Sequence, residues 1–247
     1  MSTSAIAVVV GVGPSAGLGA ALGRRFAREG LHVFLYGRTP AKLDEVAEEI
    51  RRAGGQVTAM AGDVTSEADV IRLFQAVAAE EAKGPRLELA AFCIGGLARS
   101  PIVDMSADGF RQLWQQNCFG GFLVGREAAR LMLPRRRGTI LYTGATASLG
   151  ARAGSAAFAS SKAALRAVAQ SMARELQPQG IHVAHVIIDG IINGERARTS
   201  FPEALKSRGD DGSIDLDALA DVYWTLHRQH PTTWTYELDL RPYKESF

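Results

Sequence analysis

The sequence predicts a single α/β domain in which helices cover both faces of a parallel, doubly wound β-sheet. Apolar runs of strand length alternate with amphipathic segments of helix length, a pattern typical of parallel sheets. The chain has 247 residues, of which 47% are hydrophobic and 22% charged, enough for one large globular domain. A glycine-rich turn separates the first strand from the first helix. These three observations predict one domain over residues 1–247.

The first half of the chain predicts four strands and three helices. Residues 5–10 are apolar, continuous and mostly β-branched, as expected of a strand buried on both faces. Gly30 and the pair Gly54-Gly55 end the first two helices. The remaining predicted strands are residues 31–36, 56–61 and 87–93, and the helices are residues 18–29, 40–53 and 67–81.

The second half predicts three more strands, which makes a sheet of about seven. A long helix is predicted over residues 108–133, because its apolar residues recur at helical spacing. Gly120-Gly121 should weaken or bend this helix locally. The further strands are residues 139–143, 181–188 and 237–240, and the further helices are residues 158–177 and 217–230.

Residues 190–213 form the longest stretch without clear periodicity. The stretch directly follows the sixth predicted strand. Ligands of open α/β sheets bind outside the carboxyl ends of the strands. We therefore expect residues 190–213 to act as a lid or substrate-binding segment.

Composition excludes several classes of function. The 28 basic and 26 acidic side chains nearly cancel, so we expect neither nucleic acid nor a membrane surface as a partner. Two cysteines and five histidines at non-ligand spacing predict no disulfide framework and no metal site. Met1 to Ser4 lack a basic region, and no stretch approaches a membrane-spanning length. We expect a cytoplasmic protein.

The turn Gly13-Pro14-Ser15-Ala16-Gly17-Leu18-Gly19 predicts a dinucleotide site. It leaves a buried strand and opens a helix, which exposes backbone N–H groups at the positive end of the helix dipole. Such a turn binds a pyrophosphate, and side chains larger than glycine would block its approach. The predicted ligands are Gly13, Ser15, Gly17, Leu18 and Gly19.

Charge favours NADP(H) over NAD(H). A carboxylate after the second strand would accept hydrogen bonds from a free ribose 2′-hydroxyl and repel a 2′-phosphate. This chain has Tyr36-Gly37-Arg38 there, with a guanidinium and no carboxylate. Arg38 is therefore predicted to bind the 2′-phosphate.

The G-x-x-x-G-x-G spacing resembles that of the short-chain dehydrogenase/reductases, and the resemblance covers nearly the whole chain. It implies a Rossmann-type oxidoreductase in which Asp63 and Val64 meet the adenine, and Cys93 and Gly95 lie at the coenzyme. It also implies an active-site Lys162 and Asn117. Relatives commonly pair the helices equivalent to residues 108–133 and 158–177, which implies a homo-oligomer, either a dimer or a tetramer.

The chain departs from the family pattern at the catalytic positions. Phe158 stands where the family has its proton-donating Tyr, four residues before Lys162, and Ala145 stands at the family Ser. Asp189-Gly190 replaces the usual Pro-Gly, so we place Ala145, Phe158 and Asp189 at the substrate pocket. A positioned general acid contributes about 10²- to 10⁴-fold in rate. The nearby hydroxyls of Tyr142, Thr143, Thr146, Ser160 and Ser161 offer no convincing replacement.

Two functions fit this pattern. The first is an NADP(H)-dependent oxidoreductase for a small apolar or aromatic substrate that needs no Tyr acid, such as an imine or an activated C=C bond. The alternative is a catalytically inactive NADP(H)-binding protein, acting as a sensor or assembly subunit. A more distant possibility is carbonyl reduction with an acid such as Asp189 or Glu195.

Overall fold

The structure, a computed structural model, describes residues 5–245 and contains one seven-stranded parallel sheet. Met1 to Ser4 lie outside the described residues. The strand order is β3-β2-β1-β4-β5-β6-β7, which confirms the doubly wound, Rossmann-type prediction. The strands are β1 Ala5–Val10, β2 His32–Gly37, β3 Val57–Ala61, β4 Arg86–Phe92, β5 Gly138–Thr143, β6 Ile181–Ile188 and β7 Glu237–Leu240.

Helices cover both faces of the sheet and enclose two apolar clusters. On one face lie α3 Glu67–Glu81, α4 Ala107–Trp114, α5 Gly120–Met132 and α6 Ala156–Leu176. On the other lie α1 Leu18–Arg28, α2 Pro40–Arg52 and α9 Leu216–Arg228. Alternate residues of β1 enter opposite clusters, with Ile6 and Val8 on one side and Ala7 and Val9 on the other. Burial on both faces explains the continuous apolar runs.

Most predicted bounds agree with the structure to within one or two residues, and those of β1, α3, β6 and β7 are identical to it. The predicted helix 108–133 is different, because a π-helical turn, Gln115–Phe119, separates α4 from α5. The turn comes directly before the Gly120-Gly121 pair that was predicted to bend the helix. Both glycines pack closely, since a Cβ on Gly121 would lie 2.4 Å from Leu165 Cδ1.

Residues 190–213 contain two short helices, α7 Glu195–Ser200 and α8 Pro202–Ser207, which the sequence analysis missed. A helix of six residues makes fewer than two turns, which is too short for an apolar periodicity to be recognised in the sequence. Residues 5–245 include no helix whose length and apolarity would allow it to cross a bilayer.

Gly125 on α5 makes room for a buried phenol. The Tyr142 side chain is fully buried, and its hydroxyl donates to the Gly121 carbonyl at 3.2 Å. A Cβ on Gly125 would lie 1.8 Å from that hydroxyl oxygen. The helix therefore approaches β5 only because residue 125 has no side chain.

We predict that Gly125→Ala lowers the free energy of unfolding by about 1–3 kcal/mol, measured by urea denaturation, because it overpacks this contact. The higher helix propensity of alanine would by itself raise the free energy of unfolding. Gly150→Ala is the control, since no atom lies within 4 Å of its Cβ position. Tyr142→Phe should lower the free energy of unfolding by less in the Gly125→Ala background than in the wild type. An unchanged unfolding midpoint for Gly125→Ala would contradict the packing argument.

Candidate functional site

A groove of about 610 Å³ lies at the carboxyl edge of the sheet, where the strand order reverses between β1 and β4. This is the position at which open α/β sheets bind ligands. Six of the predicted coenzyme residues line the groove: Gly13, Arg38, Asp63, Val64, Cys93 and Gly95. Lys42 and Arg196 also line it, and the sequence analysis did not identify them as ligands.

The glycine-rich turn forms one wall of the groove. Gly13 has no atom within 4 Å of its Cβ position, so a side chain there would project into open space. Gly19 packs against β1, with its Cβ position 2.8 Å from the Gly11 carbonyl oxygen. Gly17 is the N-cap of α1 and provides no side-chain cap. The first N–H groups of the helix therefore remain available to an anion.

Ser15 is tied to the neighbouring helices. Its hydroxyl donates to Glu49 Oε1 at 2.6 Å, and Arg24 Nη1 donates to Glu49 Oε2 at 2.8 Å. Arg24 also donates to the Ser15 carbonyl at 3.1 Å. Ser15, Gly17, Leu18 and Gly19 are not among the lining residues of the groove. The Ser15 side chain thus fixes the shape of the turn.

Two cationic side chains lie at the β2 side of the groove. Arg38 is exposed, and its guanidinium makes no hydrogen bond or ion pair with residues 5–245. Lys42, in the first turn of α2, has a distant partner in Glu195 at 3.9 Å. Both groups are therefore free to meet an anionic ligand. The sequence analysis did not identify Lys42 as a ligand, because a lysine at such a helical position is usually solvated.

Asp63 is exposed at the end of β3. Its carboxylate accepts hydrogen bonds from the backbone N–H of Thr65 at 2.9 Å and from the Thr65 hydroxyl at 2.8 Å. Its own backbone N–H donates to Asp69, which lowers the pKa of the Asp69 carboxyl. The turn after β3 is thereby held at the rim of the groove.

Lys162 is buried with 1% exposure between two strand ends. Its ammonium group donates to the carbonyl of Ile94 at 2.8 Å and to that of Thr143 at 2.7 Å. Burial lowers the pKa of Lys162 to about 7, whereas the nearby Cys93 opposes this shift. Burial also raises the pKa of the Cys93 thiol to about 12, so this cysteine stays protonated.

Asn117 is fully buried in the π-helical turn. Its carbonyl oxygen accepts from the Gly96 N–H, and its amide donates to the Gly96 carbonyl, both at 3.0 Å. The amide also donates to Ser161 Oγ at 2.9 Å. Asn117 therefore connects the loop after β4 to α6 and satisfies buried backbone groups.

Every hydroxyl considered as a replacement acid already has a hydrogen-bond partner. Tyr142 and Thr143 point to opposite faces of the sheet, toward Gly121 and Tyr223 respectively, and Thr143 Oγ1 lies 2.6 Å from the Tyr223 hydroxyl. The Ser160 and Ser161 hydroxyls donate within α6, to the carbonyls of Ala157 and Phe158.

Asp189 is buried and belongs to a polar network. Its Oδ1 accepts from the Thr146 hydroxyl at 2.7 Å, and its Oδ2 lies 3.0 Å from Arg241 Nη1. Ala145, which precedes Thr146, and Phe158 are both half-buried. Lys162, Ala145, Phe158 and Asp189 do not line the groove.

Segment 190–213 contacts the glycine-rich turn. The Glu195 N–H donates to the Ala16 carbonyl at 2.7 Å, and Arg196 Nη1 donates to the Gly95 carbonyl at 2.6 Å. The Arg196 contact spans 101 residues, so sequence spacing gave no signal for it. Among the described residues, no group of three or more His, Cys, Asp or Glu side chains could hold a metal ion.

Comparisons with known proteins agree with this geometry. The family model described as short chain dehydrogenase matches residues 6–203. The chain is 30% identical over 220 residues to the 1-deoxy-11-beta-hydroxypentalenate dehydrogenase of Streptomyces exfoliatus, covering 86% of this chain and 76% of that protein.

Two solved structures share the fold. A short-chain dehydrogenase from Rhodopseudomonas palustris is 40% identical, with a TM-score of 0.83 and coverage of 97% of this chain and 99% of that one. A metagenomic short-chain oxidoreductase in complex with NADP is 26% identical, with a TM-score of 0.82 and coverage of 97% of both chains. The chain therefore belongs to the short-chain dehydrogenase family of oxidoreductases, whose fold binds a nicotinamide coenzyme.

Proposed function

We propose that the chain is an NADP(H)-dependent oxidoreductase for a substrate that needs no phenolic proton donor, such as an imine or an activated C=C bond. The observation that carries this proposal is the hydrogen bonding of the hydroxyls near Lys162. Each of the five already has a partner in a strand, a helix or the Thr146–Asp189 network. Fold alone would not decide this point.

The preference for NADP(H) is supported by charge. Arg38 and Lys42 lie at the β2 side of the groove, and neither forms a close ion pair. A guanidinium binds a phosphate by charge-assisted, often bidentate hydrogen bonds. The related oxidoreductase in complex with NADP has the same fold. We infer that Arg38 is the main ligand of the 2′-phosphate.

The coenzyme, when bound, supplies the hydride. Lys162 is placed by the Ile94 and Thr143 carbonyls, and burial lowers its pKa to about 7. It is suited to hold the coenzyme ribose by hydrogen bonds. Asn117 acts as a positioning residue through Gly96.

We infer that Phe158 and Ala145, which lie outside the lining of the groove, form the apolar substrate side of the site. Phe158 and Ala145 present a phenyl ring and a methyl group, which can exclude water but cannot donate a proton. An iminium carbon that takes up a hydride becomes a neutral amine, so the step needs no acid. Transfer to an activated C=C bond leaves an enolate, whose proton would come from solvent.

Exposed apolar side chains on neighbouring loops support an apolar or aromatic substrate. Ile102 and Leu149 are exposed by 69% and 53%. Their loops are joined by the Ser100 N–H, which donates to the Gly154 carbonyl at 2.9 Å. We infer that these two loops contact the substrate through Ile102 and Leu149.

We also propose a homo-oligomer, either a dimer or a tetramer, formed through α4 and α5. Phe110, Trp114 and Phe122 are exposed by 38–39% on these helices, and Trp114 stacks on Phe119 with ring centroids 6.3 Å apart. Large aromatic side chains exposed on one face are typical of an interface.

Arg38→Gln should weaken NADPH binding by roughly 10-fold or more, because it removes a charge-assisted contact, and leave NADH binding within about twofold. Isothermal titration calorimetry measures both. Arg51→Gln, an exposed arginine at the far end of α2, serves as the control. Equal losses for the two coenzymes would contradict the assignment of Arg38 to the 2′-phosphate.

With NADPH, we expect turnover of imines or enones and at least roughly 10²-fold less turnover of ketones, since ketone reduction requires the acid. Phe158→Tyr combined with Ala145→Ser should raise ketone kcat/KM by roughly 10²-fold, whereas either change alone should give less. Adding Lys162→Met should remove the gain.

An unchanged ketone rate in the double variant would mean that Phe158 and Ala145 do not occupy the catalytic positions. If no substrate class is turned over and NADPH binding is intact, the result would instead favour a non-catalytic dinucleotide-binding protein.

Trp114→Glu should shift the mass found by sedimentation equilibrium toward that of a single 26.4 kDa chain, because a carboxylate would be buried in the interface. Arg51→Glu, an exposed change outside α4 and α5, should leave the mass unchanged. If Trp114→Glu keeps the wild-type mass, the interface lies elsewhere.

A further inference from the structure

We propose that Arg196 is a second cationic ligand of the dinucleotide and that it binds the diphosphate rather than the 2′-phosphate. The inference rests on the proposed coenzyme binding and adds to it a residue from segment 190–213. Its support is the placement of Arg196 across the groove.

The backbone before Arg196 lies on the glycine-rich turn. The Glu195 N–H donates to the Ala16 carbonyl at 2.7 Å. A Cβ on Gly194 would lie 2.8 Å from the same carbonyl oxygen, so only glycine permits this approach. The start of α7 is thereby fixed next to the N-terminus of α1.

The side chain of Arg196 extends from this anchor to the opposite wall of the groove. Nη1 donates to the Gly95 carbonyl at 2.6 Å, and Nη2 donates to the Leu97 carbonyl at 3.4 Å. Both carbonyls belong to the loop after β4. A dinucleotide whose diphosphate lies at the α1 N-terminus would pass beneath this guanidinium.

The Arg196 guanidinium has N–H groups left with which to bind a ligand. It carries five N–H donors and donates hydrogen bonds to two carbonyl oxygens. No carboxylate within residues 5–245 forms an ion pair with the Arg196 guanidinium. The carboxylate of the adjacent Glu195 lies 3.9 Å from Lys42 instead. An exposed positive charge that lines the groove and forms no ion pair favours a bound phosphate.

The strand order separates Arg196 from the 2′-phosphate site. Arg38 follows β2, whereas the carbonyls that hold Arg196 follow β4, and β1 lies between these two strands. Neighbouring strands are about 4.8 Å apart, so the two sites are roughly 10 Å apart across the sheet. The two arginines should therefore bind different phosphates of one coenzyme.

Four ligands distinguish the two phosphates. NADPH carries both the diphosphate and the 2′-phosphate, NADH and ADP-ribose carry only the diphosphate, and adenosine 2′-monophosphate carries only the 2′-phosphate. We expect Arg196→Gln to weaken NADPH, NADH and ADP-ribose equally, by roughly 10- to 100-fold, and adenosine 2′-monophosphate by less than about threefold. Calorimetric titration of the full chain measures each dissociation constant.

Two variants serve as controls. Arg38→Gln should give the opposite pattern, weakening NADPH and adenosine 2′-monophosphate but not ADP-ribose. Arg198→Gln changes an exposed arginine of the same helix that binds Asn193 instead of the groove, and should leave all four ligands unchanged. Since Arg196 is exposed, its variant should unfold within about 2 °C of the wild type.

The outcomes separate this inference from the proposed function. If Arg196→Gln binds NADPH and ADP-ribose within twofold of the wild type, Arg196 is not a ligand. If adenosine 2′-monophosphate is weakened as much as ADP-ribose, the assignment to the diphosphate is wrong. If the wild type binds neither NADPH nor NADH, the proposed coenzyme itself fails.

Discussion

The reversal of strand order between β1 and β4 is the constraint on which the site depends. Crossover helices run to opposite faces on either side of this point, so the carboxyl ends of β1 and β4 remain uncovered between them. The glycine-rich turn occupies one wall of the opening, and the Cys93–Gly95 loop occupies the other. Two cationic side chains line the groove from different elements: Arg38 follows β2, and Arg196 lies on α7.

Buried polar side chains fix the walls of this opening. Lys162 joins α6 to the ends of β4 and β5, and Asn117 joins the π-helical turn to Gly96 and to α6. A buried amine without partners would strongly destabilise the fold, and the carbonyl oxygens offset part of that cost. The same burial lowers the pKa of Lys162, so one buried position both supports the fold and sets the acidity of this amine.

The proposed substrate residues differ in character from the lining of the groove. Arg38, Lys42 and Arg196 line the groove and are cationic, whereas Phe158 and Ala145 lie outside it, are apolar and cannot donate protons. Thr143 and Thr146, the nearest strand and turn hydroxyls, are engaged by Tyr223 and Asp189. If Phe158 and Ala145 occupy the catalytic positions, as proposed, proton delivery is the step that limits substrate choice.

Local periodicity and residue identity at short spacing predict the succession of strands and helices along the chain, the glycine-rich turn, Arg38 in place of a carboxylate, and Phe158 and Ala145 at the positions of the family Tyr and Ser. Long-range packing sets the partners of Thr146, the π-helical turn around Asn117, the space that Gly125 leaves for Tyr142, and the reach of Arg196 to Gly95. These contacts join residues that are distant in the chain, so no local sequence pattern predicts them.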